Sequence, residues 1–288
     1  MTHNITIVGS VNLDLVVRCA HLPAAGETVL GDGFAKHPGG KGANQALAAR
    51  RLGADVDLIA CVGEDDEADA ALALMRAEGV DLSRCRSIAG TPTGVAMIAV
   101  EPEGDNQIVV ASGANAQLTV ADLPERIEGA LIGQLETPVE VLVEALARCA
   151  GLTSLNLAPA QPLDTAVLER ADLCIVNEAE CAFYGTERLF AAGGLTALTL
   201  GARGAVLFRD GIEIAQARPP RITPHDATGA GDTFVAALTL ALLEGQAPQD
   251  ALEFACAAGA AATLTAGAQP ALPRRQAVEA LLFQGHVG

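Results

Sequence analysis

The sequence is poor in aromatic residues: its 288 residues include no Trp, one Tyr and seven Phe. Basic residues are also scarce, with 18 Lys and Arg against 35 Asp and Glu and a formal net charge of -17 at pH 7. Nucleic-acid binding usually relies on a basic stripe and on aromatic side chains that stack on bases. The sequence has neither feature, so we predict no nucleic-acid partner.

Long hydrophobic runs and cysteine motifs are missing as well. No uncharged apolar run reaches the about 18 residues that a membrane helix needs, and residues 1–10 do not form a basic, hydrophobic export signal. The seven cysteines are scattered, with no Cys-x-x-Cys pair and no His at zinc spacing. We therefore expect a cytoplasmic protein with no membrane partner and with reduced thiols in its core.

Half of the residues are apolar, enough for one large core. Short apolar runs at 5–8, 56–62, 131–135, 152–157, 173–176 and 197–200 alternate with amphipathic stretches at 42–52, 68–78 and 139–149, and helical patterns dominate after about residue 229. Such alternation predicts βαβ units in an α/β fold with a largely parallel sheet.

Two stretches, 13–34 and 94–112, interrupt this alternation. In the second, apolar residues 95–100 and 108–110 flank a polar turn at 101–107, a pattern typical of a β-hairpin. Together the two stretches could form a small sheet outside the main one, as a lid over a cleft requires.

The segment 226–234 (DATGAGDTF) is the strongest local signal of chemistry in the chain. Its glycines allow successive N–H groups to point into one concavity, which holds an anion without a lysine. A helical pattern follows at once and places Asp232 in the first helical turn, where the helix dipole favours the ionised carboxylate. Phosphoryl transfer to an alcohol uses a carboxylate that accepts the hydroxyl proton beside amides that neutralise the moving group. In isolation, a simple helix cap fits about as well.

A second glycine-rich segment, 39–45 (GGKGANQ), also precedes a helical pattern. Lys41, Asn44 and Gln45 fall in the first turn of that helix and supply donors and acceptors suited to polyol hydroxyls. Standing alone, the segment fits a plain loop with a solvated lysine better.

A third segment, 9–14 (GSVNLD), leaves the first predicted strand. Asn12 and Asp14 are two residues apart in an extended chain, so their side chains point to the same side. Both could accept sugar hydroxyls at the end of a sheet strand, the usual ligand position in open α/β folds, although an Asx turn fits equally well. Polar residues also follow later apolar runs, at Glu136, Asn156, 177–180 and 199–204, where each alone is ordinary loop chemistry.

Together and in this order, these segments resemble the ribokinase family, the phosphofructokinase B group of carbohydrate kinases. Segment 39–45 is similar to the N-terminal signature of that family and segment 226–234 to its C-terminal signature, and the resemblance covers nearly the whole chain. It implies a three-layer α/β/α sandwich with a central, mostly parallel sheet and a small β-sheet lid. It also implies a single kinase domain over 1–288, with lid strands inserted at about 12–36 and 93–112.

The resemblance implies ATP-dependent phosphorylation of D-ribose at its 5-hydroxyl, giving ribose 5-phosphate and ADP. Asp232 is then the catalytic base, and the implied anion hole consists of Thr228, Gly229, Ala230 and Gly231. The implied sugar ligands are Asn12, Asp14, Gly40, Lys41, Asn44, Glu136 and Asp232. The implied ATP contacts are Asn177, Thr199, Leu200, Gly201, Ala202, Arg203, Gly204, Gly231 and Cys256.

The same resemblance implies Mg²⁺ with ATP, organised by Glu180 through water. It further implies K⁺ as an activator beside the anion hole, held mostly by backbone carbonyls of Asp226, Thr228, Ala262, Thr265, Gly267 and Ala271. The chain departs from the family pattern where Cys256 replaces a usual His, Ala271 a usual Ser and Leu157 a usual Pro, and where segment 180–198 is shorter than usual.

Members of the family commonly pair through their lid sheets, so the resemblance implies a homodimer whose ligands are ATP and a pentose. The main alternative is a kinase of the same family that acts on another sugar, a sugar acid or a nucleoside. The few aromatic residues in 94–112 argue against a nucleoside, because its base would need a stacking partner.

Two other classes are disfavoured. A nicotinamide-dependent oxidoreductase would need a Gly-x-Gly-x-x-Gly motif after the first strand, which Gly9 does not begin, and Asp232 would repel a pyrophosphate. A catalytically silent sugar-binding protein would have no use for Asp232 with its glycines, and only turnover separates it from an enzyme.

Overall fold

The computed structural model describes residues 3–102 and 105–286. The strands in this part of the chain are β1 (Asn4–Val8), β2 (Asn12–Cys19), β3 (Gly31–Gly39), β4 (Asp55–Gly63), β5 (Cys85–Ile88), β6 (Gly94–Val100), β7 (Asn106–Ala111), β8 (Ala130–Gly133), β9 (Leu152–Asn156), β10 (Leu173–Asn177), β11 (Leu195–Thr199), β12 (Ala205–Arg209) and β13 (Ile212–Ala217). The α-helices are α1 (Lys41–Leu52), α2 (Asp66–Glu78), α3 (Val139–Arg148), α4 (Thr165–Leu168), α5 (Glu178–Tyr184), α6 (Thr186–Ala191), α7 (Ala230–Leu243), α8 (Pro248–Ala262), α9 (Ala268–Ala271) and α10 (Arg275–His286). Short 3-10 helices lie at Gly113–Gln117, Val120–Asp122 and Gly201–Arg203.

The main sheet has nine strands in the order β13-β12-β11-β10-β9-β8-β1-β4-β5. The pairings from β11 through β5 are parallel, and β12 alone runs in the opposite direction. The carboxyl ends of the parallel strands therefore meet at one edge, where ligands bind in open α/β sheets.

Both faces of this sheet are covered, because successive residues of its central strands enter different cores. In β10, Leu173 and Ile175 belong to one buried cluster and Cys174 and Val176 to the other. The first cluster includes residues of α1, α2, α7, α8 and α10, and the second includes residues of α3, α4, α5 and α6. Near-continuous apolar strands with helices on both faces are what a parallel sheet requires, and the predicted three-layer α/β/α fold is confirmed.

The lid is a separate four-stranded sheet in the order β3-β2-β6-β7. The predicted hairpin is present as β6 and β7, paired antiparallel from Val95 with Ala111 to Val100 with Asn106. Residues 103–104 of its predicted turn lie outside the described residues. The other predicted lid stretch forms β2 and β3, also antiparallel.

Two features of the fold differ from expectation. Asn12 and Asp14 do not end a strand of the main sheet, since β1 ends at Val8 and both residues begin the lid strand β2. The antiparallel β12 and β13 were not predicted, because their residues lie beside a turn at 210–211 without a long apolar run. Among the described residues, no helix has both the length and the apolarity to cross a membrane.

Candidate active site

Asp232 lies in the first turn of α7, as the sequence predicts, and its carboxylate is held by α1. Asn44 Nδ2 donates to Asp232 Oδ2 at 2.9 Å, and Gln45 Nε2 donates to Asp232 Oδ1 at 3.0 Å. These bonds join the two glycine-rich segments across 188 and 187 residues of sequence. The helix α7 begins directly after Gly229, which has a φ of 79°, a backbone conformation that glycine adopts more readily than other residues.

The helix dipole was expected to favour the ionised form of Asp232, and the structure adds the opposing effect of burial. Burial raises the pKa of Asp232, while Lys41 and the amide donors of Asn44 and Gln45 act in the opposite direction. The side chain is only 8% exposed, so loss of hydration outweighs the favourable contacts. A carboxylate with a raised pKa has a stronger affinity for a proton, which suits a general base.

Lys41 is the first residue of α1 and lies among four carboxylates. Burial alone would lower the pKa of Lys41, but Asp232, Glu136, Glu180 and Asp14 together raise it. The ammonium is therefore charged at neutral pH. Lys41 thus interacts electrostatically both with predicted sugar ligands and with Glu180, which was predicted to organise Mg²⁺.

Asp14 and Glu136 both lie against the segment 39–41. Glu136 Oε2 accepts bonds from Ser10 Oγ and from the Lys41 amide, the latter at 3.3 Å. Asp14 lies so close to Gly39 that a Cβ there would be 2.2 Å from Asp14 Oδ2. Burial and the nearby Glu136 and Asp232 raise the pKa of Asp14 from 3.8 to about 7, with Lys41 opposing them. The glycine thus leaves the space in which the carboxylate lies.

Asn12 and Gly40 complete the predicted sugar side. Asn12 is 3% exposed, and its Oδ1 accepts a bond from Asn115 Nδ2 at 2.8 Å. Gly40 precedes α1 with a φ of 90° and packs against the Asn12 backbone, where a Cβ would be 2.7 Å from the amide nitrogen. The structure therefore brings every predicted sugar ligand into one region, to which the lid strand β2 contributes Asn12 and Asp14.

Sequence reasoning missed a buried chain of two hydrogen bonds that runs from Gln134 through Gln45 to Asp232. Gln134 Nε2 donates to Gln45 Oε1 at 2.5 Å, and Gln45 in turn donates to Asp232. Both glutamines are 0% exposed. Gln45 was predicted to face a polyol, but its amide instead orients the carboxylate. The contacts span 89 and 187 residues, so no local pattern signals them.

The predicted ATP residues follow neighbouring parallel strands. Asn177 and Thr199 are register partners at the ends of β10 and β11, and the turn 200–204 continues from Thr199. Gly204 has a φ of 95°, and a Cβ there would be 1.9 Å from the Ala217 carbonyl oxygen. Cys256 on α8 is buried with its Sγ 3.8 Å from the same oxygen. Arg203 forms an exposed ion pair with Glu178.

Glu180 is engaged by the start of α5. Its Oε2 accepts the Asn177 amide at 2.8 Å, and Asn177 Oδ1 accepts the Glu180 amide at 2.9 Å, a reciprocal capping box. Burial raises the pKa of Glu180, against the opposing effects of that amide bond and Lys41. Glu180 Oε1 has no part in this box. In the described ranges, no three His, Cys, Asp or Glu residues form a potential metal site.

The two halves of the predicted cation loop are joined by Asp226. Its Oδ1 accepts bonds from the Thr228 amide and hydroxyl, and its Oδ2 accepts the Gly267 amide at 2.8 Å. Although burial alone would raise it, these bonds lower the pKa of Asp226 below 3.8. The remaining predicted residues, Ala262, Thr265 and Ala271, lie at the end of α8, in the loop after it and at the end of α9. Both oxygens of the Asp226 carboxylate are thus engaged in hydrogen bonds within the protein.

Comparison with known proteins gives a consistent result. The chain is 39% identical to a ribokinase of Bacillus subtilis over 293 residues, which cover 97% of this chain and 99% of that protein. Its structure is similar to that of a Thermotoga maritima ribokinase, with 30% identity, a TM-score of 0.86 and coverage of 98% and 99% of the two chains. An Arabidopsis thaliana ribokinase complexed with ribose and ATP has 30% identity, a TM-score of 0.84 and the same coverage.

A family match agrees with these similarities. Residues 2–275 match the family described as pfkB family carbohydrate kinase. That span contains both glycine-rich segments, the lid strands and the carboxylate that α1 and α7 hold between them. The chain therefore belongs to the pfkB family of carbohydrate kinases.

Proposed function

We propose that this kinase transfers the terminal phosphoryl group of ATP to the 5-hydroxyl of D-ribose, giving ribose 5-phosphate and ADP. The observation that carries this assignment is the Asp232 carboxylate, fixed by Asn44 and Gln45 at the start of α7 and close to Lys41. The similarity to ribokinases at 39% and 30% identity over nearly the full chain supports ribose as the acceptor.

In the proposed reaction, Asp232 accepts the proton of the sugar hydroxyl as the oxygen attacks the phosphorus. The bond from phosphorus to the bridging oxygen of ATP breaks, and ADP leaves with the bonding electrons. Amides at residues 228–231 and the Lys41 ammonium are placed to stabilise the charge on the transferred group. Apart from its chain neighbours and the nearby backbone of α7, a Cβ at Gly231 would contact no heavy atom within 4 Å, so this side of the helix start is open to such a group.

The sugar is held by Asn12, Asp14, Gly40, Lys41, Asn44 and Glu136. The carboxylates of Asp14 and Glu136 can accept directed hydrogen bonds from the sugar hydroxyls. These hydrogen bonds offset part of the free-energy cost of removing the carboxylates from water. The nucleotide lies along the ends of β10 and β11, against Asn177, residues 199–204, Gly231 and Cys256.

Mg²⁺ is proposed to accompany ATP. When bound, this ion neutralises charge on the β- and γ-phosphates. The residues present fit such an ion: Glu180 keeps an oxygen outside its capping box, and four carboxylates share one lysine. Because Mg²⁺ is usually held by one or two carboxylates plus substrate phosphates, a site without a protein cage is expected.

K⁺ is proposed as an activator in the loop of Asp226, Thr228, Ala262, Thr265, Gly267 and Ala271. Asp226 ties the anion-hole segment to Gly267, so an ion that ordered the second segment would also order the amides of the first. Carbonyl oxygens are suitable ligands for K⁺.

The main sheet and the lid are proposed to act as one kinase domain in a cytoplasmic homodimer. A cytoplasmic location is consistent with the use of ATP, which is abundant there.

Alternation along the lid strands and their register place Val17, Phe34, Met97 and Val109 on the face opposite Asn12 and Asp14. We call these four residues the outer lid face. They are 38–68% exposed, an apolar surface suited to a second lid.

A panel of acceptors in a coupled ADP-release assay tests the assignment. D-Ribose should give a higher kcat/KM than D-fructose, 2-keto-3-deoxygluconate and inosine, with K⁺ increasing the rate over Na⁺. The phosphorylated position is read by ³¹P NMR of the product. Preference for another acceptor would reassign the substrate within the family, and absence of turnover with every acceptor would indicate a silent sugar-binding protein.

A further inference from the structure

Asn115 is a buried polar residue to which sequence reasoning gave no role. It lies in the 3-10 helix Gly113–Gln117, which follows the last lid strand, and it is 1% exposed. Its side chain makes three hydrogen bonds to two consecutive residues, Val11 and Asn12, which carry the chain from β1 into the lid. Because all three hydrogen bonds go to one short segment, the Asn115 side chain fixes the position of that segment.

The bonds to Val11 determine how the Asn115 amide is oriented. The Val11 amide donates to Asn115 Oδ1 at 2.9 Å, and Asn115 Nδ2 donates to the Val11 carbonyl oxygen at 3.1 Å. A backbone N–H can only donate and a backbone carbonyl can only accept, so the oxygen and nitrogen of Asn115 cannot be exchanged.

The orientation of Asn12 follows from that of Asn115. The second N–H of Asn115 Nδ2 points at Asn12 at 2.8 Å, and a donor must meet an acceptor, so the atom there is Asn12 Oδ1. The Nδ2 of Asn12 is thereby left as the group that faces away from Asn115. Asn12 was predicted to accept sugar hydroxyls, whereas this arrangement makes it a donor.

Gly94 leaves the space in which the Asn12 and Asn115 amides meet. A Cβ at Gly94, the first residue of β6, would be 2.2 Å from Asn12 Oδ1 and 2.3 Å from Asn115 Nδ2. The neighbouring Ala114 amide donates to the Pro92 carbonyl oxygen at 2.8 Å. Three of the chain segments that enter or leave the lid, at Val11, at 92–94 and at 112–115, thus meet at Asn115.

We propose that Asn115 is a positioning residue for the acceptor sugar, which holds Asn12 so that its amide nitrogen donates to a sugar oxygen. This inference rests on the proposed role of Asn12 as a sugar ligand. It predicts that Asn115 affects sugar affinity through Asn12 and leaves nucleotide binding and the chemical step unaffected.

A double-mutant cycle between Asn12→Ala and Asn115→Ala tests this, with the acceptor that the wild-type enzyme turns over best. Loss of one directed hydrogen bond predicts about a tenfold rise in sugar KM for Asn115→Ala, with kcat within about twofold and ATP KM unchanged. Sugar Kd, measured by calorimetry without ATP, should rise equally. In the Asn12→Ala background, Asn115→Ala should change Kd by less than about twofold.

Two further variants separate positioning from general destabilisation. Thr153 lies in β9, outside the site, and its hydroxyl donates partly buried hydrogen bonds to Asp172 and to the Arg170 carbonyl oxygen. Thr153→Val removes these bonds and should leave sugar Kd unchanged at any loss of stability. Asn115→Asp keeps the side-chain volume and the acceptor for the Val11 amide, so it serves if the alanine variant does not fold, with the same rise in Kd expected. Wild-type Kd in the Asn115 variants, or the same rise with and without Asn12, would overturn the proposal. Because the acceptor is chosen by turnover, a substrate other than ribose would leave this test intact.

Discussion

Carboxylates outnumber cations in the candidate site, and the stability of the protein should reflect this. Asp14, Glu136, Glu180 and Asp232 surround Lys41. Burial of a charge without full pairing is costly, which is why the pKa of Asp14 is raised to about 7. These side chains are arranged for ligands that donate hydrogen bonds or bring a metal ion, so the site lowers the stability of the ligand-free fold.

Asp14→Asn should stabilise the ligand-free protein at pH 8 and impair sugar binding. The pKa of Asp14 is raised by folding from 3.8 to about 7, so its ionisation opposes folding. This destabilisation is absent below about pH 4, grows between pH 4 and 7, and is complete above about pH 7, where it reaches about 4 kcal/mol. Urea unfolding should show a larger gain for the variant at pH 8 than at pH 5. An equal difference in unfolding free energy at both pH values would contradict the account.

Sugar turnover should depend on the same group. If ionised Asp14 accepts a sugar hydroxyl, kcat/KM for the sugar falls as the pH is lowered through about 7, and Asp14→Asn removes that part of the pH profile. ATP KM, measured at saturating sugar, serves as the internal control because Asp14 has no proposed nucleotide contact.

The helix α1 connects the site with the C-terminal part of the chain. Its first turn supplies Lys41, Asn44 and Gln45. Near its other end, Arg51 Nη1 donates to the carbonyl oxygens of Gln269 and Leu272 at 2.8 Å each, and Arg51 Nε donates to Glu78. One rigid helix therefore holds both the proposed base and the segment that contains Gly267 and Ala271.

Arg51→Met should destabilise the fold by about 3–5 kcal/mol, because it leaves two carbonyl oxygens and the partly buried Glu78 without this donor. The side chain of Arg51 is 10% exposed, so water replaces the bonds poorly. Urea unfolding measures the change, and the K⁺ concentration for half-maximal activity should rise as the 267–272 segment loosens.

Arg76→Met is the matched control. Arg76 on α2 forms an ion pair with Asp69, but their side chains are 58% and 82% exposed. An exposed pair contributes about 0–1 kcal/mol, so this variant should unfold almost like the wild type with unchanged K⁺ dependence. Similar losses in both variants would show that Arg51 has no special structural role.

The elements with strong periodicity were predictable from sequence, and those defined by pairing alone were not. The apolar run at 173–176 and the helical pattern after residue 229 became β10 and α7. The strand β5 has only four residues, and β12 depends on its antiparallel partners β11 and β13. Local patterns carry little information about such partners.

In the candidate site, too, some residues could be predicted from local sequence and others only from the folded structure. Asp232 and Lys41 lie in glycine-rich segments before helices, so their chemistry can be read locally. Asn115 and Gln134 act through contacts that span 103 and 89 residues, and only the folded chain shows that they hold Asn12 and Gln45. The raised pKa of Asp232 likewise comes from burial by the assembled fold, which the helix position alone could not reveal.

The whole molecule exposes apolar side chains on the outer lid face, and this surface should govern assembly. Val109 and Met97 are cross-strand partners and are 68% and 60% exposed. Because an exposed apolar sheet face favours association, we expect a dimer at micromolar concentration.

Val109→Glu should convert that dimer to a monomer, since a carboxylate in the interface would be desolvated without a partner. Sedimentation velocity at several concentrations measures the change. Ile212→Glu is the matched control, because Ile212 is also 68% exposed but lies on the edge strand β13 of the main sheet. A monomeric wild type, or dimers in all three proteins, would contradict assembly through the lid.

In the proposed reaction, the buried Asp232 carboxylate removes the proton from the sugar hydroxyl. The most direct test is kcat of Asp232→Asn at saturating ribose, ATP and Mg²⁺, with the fold checked by circular dichroism and ribose binding by calorimetry. We expect a folded protein that binds ribose and has a kcat lower by about 10²–10⁴, the range for loss of a general base. A kcat within about tenfold of the wild type would contradict it.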